Sequence, residues 1–170
     1  MTRFHLWLMP TGGTCERLAT IIRHLSQKHG GPLFEPHVTL LGGIEGEEEE
    51  ICHNTMRLAR GLRPFEVQLT KPGCQDSYFR CLYLHVQETP SLMEAQAQAR
   101  IILNQQKELQ FQPHLSLLYG TYAADLKEHM IESLDSHAGV VFEATAVHVI
   151  KAAHSQPKDW EKRALFPFER

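Results

Sequence analysis

The sequence predicts an α+β fold of bilobal, duplicated architecture, with residues 1–170 as one domain and a groove between two pseudo-symmetric lobes. Three observations lead there. Apolar runs with strand character alternate with helix-period segments along the whole chain. One eight-residue element occurs twice, once in each half. No linker, tail or low-complexity stretch divides the halves, and a hydrophobic share of 42% over 170 residues is enough for a core without metal or disulfide staples.

From the N-terminus, residues 4–9 form an apolar run stopped by Pro10 and read as the first strand. A helix is expected over 16–28, with Thr14 as its N-cap, because a hydroxyl there accepts from an unpaired first-turn N–H. A strand at 37–41 precedes Gly42-Gly43 and the acidic run Glu47-Glu48-Glu49-Glu50. That run opens a helical pattern reaching Arg60, with Ile51, Thr55 and Leu58 at helical spacing. Carboxylates in a first turn complement the helix macrodipole, so the run reads as a solvated helix start. Residues 65–70 alternate apolar with polar and give the next strand. The second half repeats the order. A strand is expected at 78–86, a helix at 91–103 behind Pro90, which a first turn tolerates, and a strand at 114–119. A helix at 124–134, a long strand at 142–152 and a closing strand at 164–168 complete the chain.

The repeated element is Phe34-Glu35-Pro36-His37-Val38-Thr39-Leu40-Leu41, which recurs as Phe111-Gln112-Pro113-His114-Leu115-Ser116-Leu117-Leu118. A bare His-x-Thr/Ser pattern is weak, and His24-Leu25-Ser26 and His53-Asn54-Thr55 match it inside predicted helices. The upstream Phe and Pro and the downstream leucines make the full element specific. Ordinary core strands of a duplicated fold would not require a histidine in both copies. Residues i and i+2 of a strand share a face about 6.5–7 Å apart. His37 with Thr39, and His114 with Ser116, therefore project together while Val38 and Leu115 turn into the core. With the two strands side by side, two imidazoles and two hydroxyls converge on one small volume.

Imidazoles with an unperturbed pKa of about 6.5 can hold opposite protonation states near neutrality. One can take a proton from attacking water and the other can give one to a leaving sugar oxygen, while the hydroxyls hydrogen-bond non-bridging phosphate oxygens. A strained cyclic phosphodiester already holds its leaving oxygen in place, so no metal is required in principle. No Cys, Asp or third His lies at ligand spacing from His37 or His114, and the expectation is no metal and no cofactor. Which imidazole is the base stays open, because the halves are nearly symmetric. Tyr119 lies an odd number of residues beyond His114 and points off the shared face unless the strand ends or bulges there. It is either a groove-rim hydroxyl offered to phosphate or water, or an interfacial core residue.

Net charge is −3, with Lys and Arg scattered along the chain. A polymer-binding protein usually carries a basic patch, because neutralised phosphates supply most of its affinity. A small anionic ligand is the better partner, with no stable nucleic-acid complex and no membrane, for a chain expected to act as a monomer. The apolar stretch before Pro10 is too short for a signal peptide or a membrane span, so the expected setting is cytoplasmic. Cys15, Cys52, Cys74 and Cys81 would then be mostly reduced. Of 11 histidines, those outside the repeat read as surface or satisfied core residues, with His85 and His148 the strongest exceptions because they fall in predicted strands.

At the duplicated element the sequence resembles the two-histidine phosphoesterase superfamily, whose signature is a duplicated His-x-Thr/Ser followed by an apolar residue. It looks most like the plant and yeast cyclic phosphodiesterase branch. The opening Leu6-Trp7-Leu8-Met9-Pro10, both Pro-His elements running through Tyr119, Cys81-Leu82-Tyr83-Leu84 with Thr89-Pro90, and Phe166-Pro167 carry that likeness over nearly the whole chain. The resemblance implies two antiparallel sheets around a water-filled groove, with His37 and His114 catalytic and Thr39, Ser116 and Tyr119 contacting substrate. It implies hydrolysis of ADP-ribose 1″,2″-cyclic phosphate to ADP-ribose 1″-phosphate, a by-product step of tRNA splicing, and opening of nucleoside 2′,3′-cyclic phosphates to 2′-phosphates. Plant members carry a cysteine pair beside the groove, and Cys74 and Cys81 lie in a comparable place, either as free thiols or as a redox-sensitive gate on the intervening loop. Tyr78, Phe79 and Trp7 are candidates to stack on a base, with core packing the alternative. Two other functions stand beside this one: RNA-end processing, which would need cationic surface, and a non-catalytic cyclic-nucleotide binding module, which would not need both histidines.

Overall fold

The computed structural model describes residues 2–105, 110–134, 137–154 and 156–170. In chain order the elements are β1 (Arg3–Leu8), α1 (Gly12–His29), β2 (Val38–Ile44), α2 (Glu48–Arg60), β3 (Phe65–Gly73), β4 (Leu82–Val86), α3 (Pro90–Ile102), β5 (His114–Leu118), α4 (Ala124–Leu134), β6 (Val141–Ala144), β7 (Ala146–Ala152) and β8 (Trp160–Pro167). The α+β class is as expected. All neighbouring strands are antiparallel, and they follow one order, β6-β3-β4-β5-β2-β1-β7-β8.

Two four-stranded sides meet where β2 lies against β5, and there Val38↔Leu115 is the one registered pair among the described residues. The sheet therefore runs continuously through both sides, with its weakest pairing at the middle. The sides are not halves of the chain. The central part of the sequence supplies β3 to β6, whereas β1, β2, β7 and β8 come from its two ends.

The long strand expected at 142–152 explains how. It is cut at Thr145: Phe142 pairs with Val67 on one side of the molecule, and Val147 pairs with Phe166 on the other. The alternation shifts phase there, from Phe142 and Ala144 buried to Val147 and Val149 buried, which is the trace the break leaves in the periodicity. The strand expected from 78 starts at Leu82, behind a 3-10 turn at Tyr78–Arg80 in which the Arg80 N–H donates to Ser77 O at 3.1 Å. Helix α1 begins at Gly12, with Thr11 in the N-cap position and no side-chain cap, so Thr14 sits inside the first turns. In α3 the cap is made: Thr89 Oγ1 accepts from the Leu92 N–H at 3.4 Å, and Pro90 occupies the first helical position.

Burial follows from this order. Leu6, Leu8, Leu84, Leu115 and Leu117, on strands near the middle of the sheet, are fully buried. Helix α1 packs on β5, α3 covers β2 and β3, α2 lies against α3, β7 and β8, and α4 backs β3 and β4. On α2, Ile51, Thr55 and Leu58 are buried as their spacing predicts, and Thr55 Oγ1 donates to Ile51 O at 2.7 Å. Its acidic start is more than a solvated end. Glu48 accepts from Arg163 Nε at 2.6 Å and from Lys151 Nζ at 3.5 Å, which ties the helix to β8 and β7. Among the described residues no helix is long and apolar enough to cross a membrane.

Candidate active site

The pair Val38↔Leu115 organises the candidate site. In an antiparallel register, one residue before Val38 lies across from one residue after Leu115. His37 is thus set towards Ser116, and Thr39 towards His114, about a pseudo-two-fold axis through the pair. All four side chains line a single groove of about 580 Å³, together with Trp7, Phe79, Arg80, Tyr119 and Trp160. This is the convergence that the i, i+2 spacing anticipates.

The proline of each element has a mechanical role. A residue before proline is confined to extended backbone, and here that residue is Glu35 or Gln112. Its carbonyl turns back to the imidazole two residues on: His37 Nδ1 lies 2.7 Å from Glu35 O, and His114 Nδ1 lies 2.9 Å from Gln112 O. A carbonyl only accepts, so each Nδ1 carries the hydrogen and donates. Nε2 of each imidazole has no hydrogen-bond partner among the described residues.

Their surroundings are unequal. His37 is buried, stacked on the Trp7 indole with centroids 3.5 Å apart and planes 9° from parallel, and edged by Phe34 and Trp160. Burial pushes its pKa down to about 3, against the opposing bond to Glu35 O, with His114 and His5 adding repulsion. His114 is half-buried and also lowered, first by burial and then by Arg80 and His85, while the Gln112 carbonyl acts to raise it. The symmetry of the sequence is broken by packing.

The hydroxyls also differ. Thr39 is partly exposed, whereas Ser116 is buried and its Oγ donates to Phe79 O at 3.0 Å. Tyr119 follows the end of β5, stacks on Phe34 at 3.9 Å and is buried, yet it lines the groove. It is thus a packed residue whose ring also borders the groove. Burial holds its hydroxyl well above the usual phenol range, with Ser116 acting to lower it.

The model of the family described as "Cyclic phosphodiesterase-like protein" matches residues 1–163. The chain belongs to that family. A cyclic phosphodiesterase of Arabidopsis thaliana is 26% identical over 136 residues, 78% of this chain and 75% of the relative. Among solved structures, E. coli LigT with 3′-AMP bound superposes with TM-score 0.68 at 15% identity, covering 99% of both chains. TT0787 of Thermus thermophilus superposes with TM-score 0.69 at 16% identity, covering 98% of this chain and 97% of the other. Those two show the shared fold.

On this cyclic phosphodiesterase-like frame the decoy histidines fall away: His24 on α1 and His53 on α2 are exposed. His5, assigned to the bystanders, lies on the groove wall, as does His154. His85 sits across the strand pair from His114 and lines a separate cavity of about 260 Å³ beside it. Arg80 and Trp160 were missed. The available signal was that the chain holds only two tryptophans, and Trp7 and Trp160 meet edge to face at 5.4 Å beside His37. Cys74 and Cys81 are free thiols. Cys81 is buried, its Sγ donates to Leu118 O at 2.8 Å, and burial pushes the thiol up to about 11. The loop that Cys74 and Cys81 bracket is held instead by buried Lys127, which donates to Asp76 and, at 3.3 Å, to Gln75 O. Among the described residues no group of three or more His, Cys, Asp or Glu side chains is placed to share a metal ion.

Proposed function

We propose that this cyclic phosphodiesterase-like protein is a hydrolase that opens ADP-ribose 1″,2″-cyclic phosphate to ADP-ribose 1″-phosphate and nucleoside 2′,3′-cyclic phosphates to 2′-phosphates, with two imidazoles as base and acid. The observation that carries the reading is the pair of groove-lining histidines with Nδ1 clamped on pre-proline carbonyls and Nε2 without a partner among the described residues. His37, kept neutral by burial, is the base, and His114 is the acid.

His37 Nε2 takes a proton from water as the water oxygen bonds to phosphorus. The phosphorus bond to the ring's leaving oxygen breaks, and that oxygen receives the proton of His114 Nε2. The result is a phosphate monoester and a free hydroxyl. The incoming phosphate anion favours the charged form of His114. Thr39 donates to a non-bridging oxygen, Ser116 does so once its hydroxyl turns from Phe79 O, and Tyr119 touches the substrate or its water. The nucleobase stacks at the aromatic rim formed by Phe79 and Trp160, whose ring centroids lie 6.2 Å apart. The chain works as a cytoplasmic monomer without metal and without a stable nucleic-acid complex.

Phosphorus NMR of the protein with each cyclic phosphate in EDTA tests this. Ring opening to the stated monoester is expected. His37→Asn or His114→Asn should each slow it by about two to four orders of magnitude with native circular dichroism retained. Activity abolished by EDTA, or surviving both substitutions, would defeat the two-imidazole mechanism.

A further inference from the structure

Behind the wall formed by Trp7 and Trp160 lies a second cavity, of about 370 Å³, separate from the groove but sharing both indoles with it. We infer that this cavity is a subsite for the distal part of a two-part substrate, a second nucleoside joined through a charged phosphate or diphosphate link. The inference rests on the activity proposed above and names which of its substrates the molecule is shaped for.

The two spaces are stretches of one sheet face. Cross-strand register runs His5↔Ile150↔Lys162 and Arg3↔Ala152↔Trp160 over β1, β7 and β8. His5 and Arg3 line the groove, Ile150 and Lys162 line the second cavity, and Trp160 stands between them, lining both. A ligand too long for the groove would continue over Trp160 along the same strands. The composition suits an aromatic ring with an anion attached. Phe34, Ile150 and Leu33 give an apolar wall.

Two cations face the same space. Lys162 is paired with Glu35 at 2.7 Å, with His148 nearby. Arg23, projecting from α1, has no ion-pair or hydrogen-bond partner among the described residues. A guanidinium left unpaired at the mouth of an aromatic-walled cavity fits a phosphate oxygen by geometry and charge. The volume lies within the range of about 300–1,000 Å³ that small-ligand sites occupy. Glu35 links the two spaces physically, since its carboxylate lines the second cavity while its carbonyl holds His37.

The test compares a long and a short ligand by calorimetry, using ADP-ribose and adenosine 2′-phosphate with the wild-type protein and Arg23→Gln. Arg23 is exposed and outside the groove, so folding is expected to be unaffected. The expected result is about tenfold weaker binding of ADP-ribose to the variant, the effect of one lost charge-assisted contact, with adenosine 2′-phosphate unchanged. Arg23→Lys should restore part of the loss. Equal losses for both ligands, no loss for either, or ADP-ribose failing to bind the wild-type protein would overturn the subsite. Turnover of the two cyclic phosphates is measured in parallel. If ADP-ribose binding responds to Arg23→Gln but neither cyclic phosphate is opened, the hydrolase reading fails and the subsite stands.

Discussion

An imidazole stacked on an indole and shut away from water resists taking a proton, and that resistance links His37 to stability as well as to chemistry. In the unfolded chain its pKa returns to about 6.5. Between there and the native value of about 3, the unfolded state binds a proton that the folded state does not. Stability contributed by neutral His37 is therefore complete above about pH 6.5 and is lost as pH falls through that window towards the native value. Its slope approaches about 1.4 kcal/mol per pH unit. His37→Phe keeps a flat ring against Trp7 but cannot titrate. Urea unfolding at several pH values between 4 and 7 should show a shallower dependence for the variant, by up to one proton equivalent. An unchanged slope would mean that His37 is protonated in the native protein.

Between residue and fold, the connections matter more than the strands. The loop that follows α1 is what presents the first element. The helix ends at Gly30 with φ of 81°, a left-handed conformation that glycine adopts without cost, and the Gly30 N–H closes on Ser26 O at 2.7 Å. Gly31 then runs so close to the end of β5 that a Cβ there would stand 2.7 Å from Leu118 Cδ1 and 2.9 Å from Tyr119 O. The leucine can move aside, but the backbone oxygen cannot. That approach lets Phe34 stack on Tyr119 and brings His37 into register with Ser116. Gly31→Ala should cost about 1–3 kcal/mol of unfolding free energy and raise KM more than it lowers kcat. Gly13→Ala, inside α1 with nothing within 4 Å of its Cβ, is the control and should be neutral or slightly stabilising. A Gly31→Ala protein as stable as the control would mean the loop is free to reposition.

At the level of the whole molecule, charge separates a small-ligand enzyme from a polymer-end enzyme. The net charge of −3 gives little long-range attraction for nucleic acid, and the groove arginines are local. Arg3 is already 3.5 Å from Glu45, and Arg80 donates to Gln112 at 3.2 Å. Turnover of a 2′,3′-cyclic mononucleotide should thus persist in the presence of long single-stranded RNA at micromolar concentration and physiological salt. Strong inhibition by RNA lacking a cyclic end would favour the RNA-end reading, with the protein holding a polymer across its face.

The sequence by itself determined the element types and the pairing of each repeat histidine with a hydroxyl on one strand face. Those features are local: side-chain period in a strand, the extended backbone before Pro36 and Pro113, and the repetition of one element are all written over a few consecutive residues. Tertiary structure decided the rest. The break at Thr145, the supply of one side of the sheet by both chain ends, the meeting of Trp7 with Trp160 and the placing of Arg80 and His5 on the groove depend on residues far apart in sequence. So does the inequality of His37 and His114. Two nearly identical elements carry no difference that distinguishes one imidazole from the other. Only the burial of one ring under indoles from two distant strands, with the other left half open, separates their affinities for a proton.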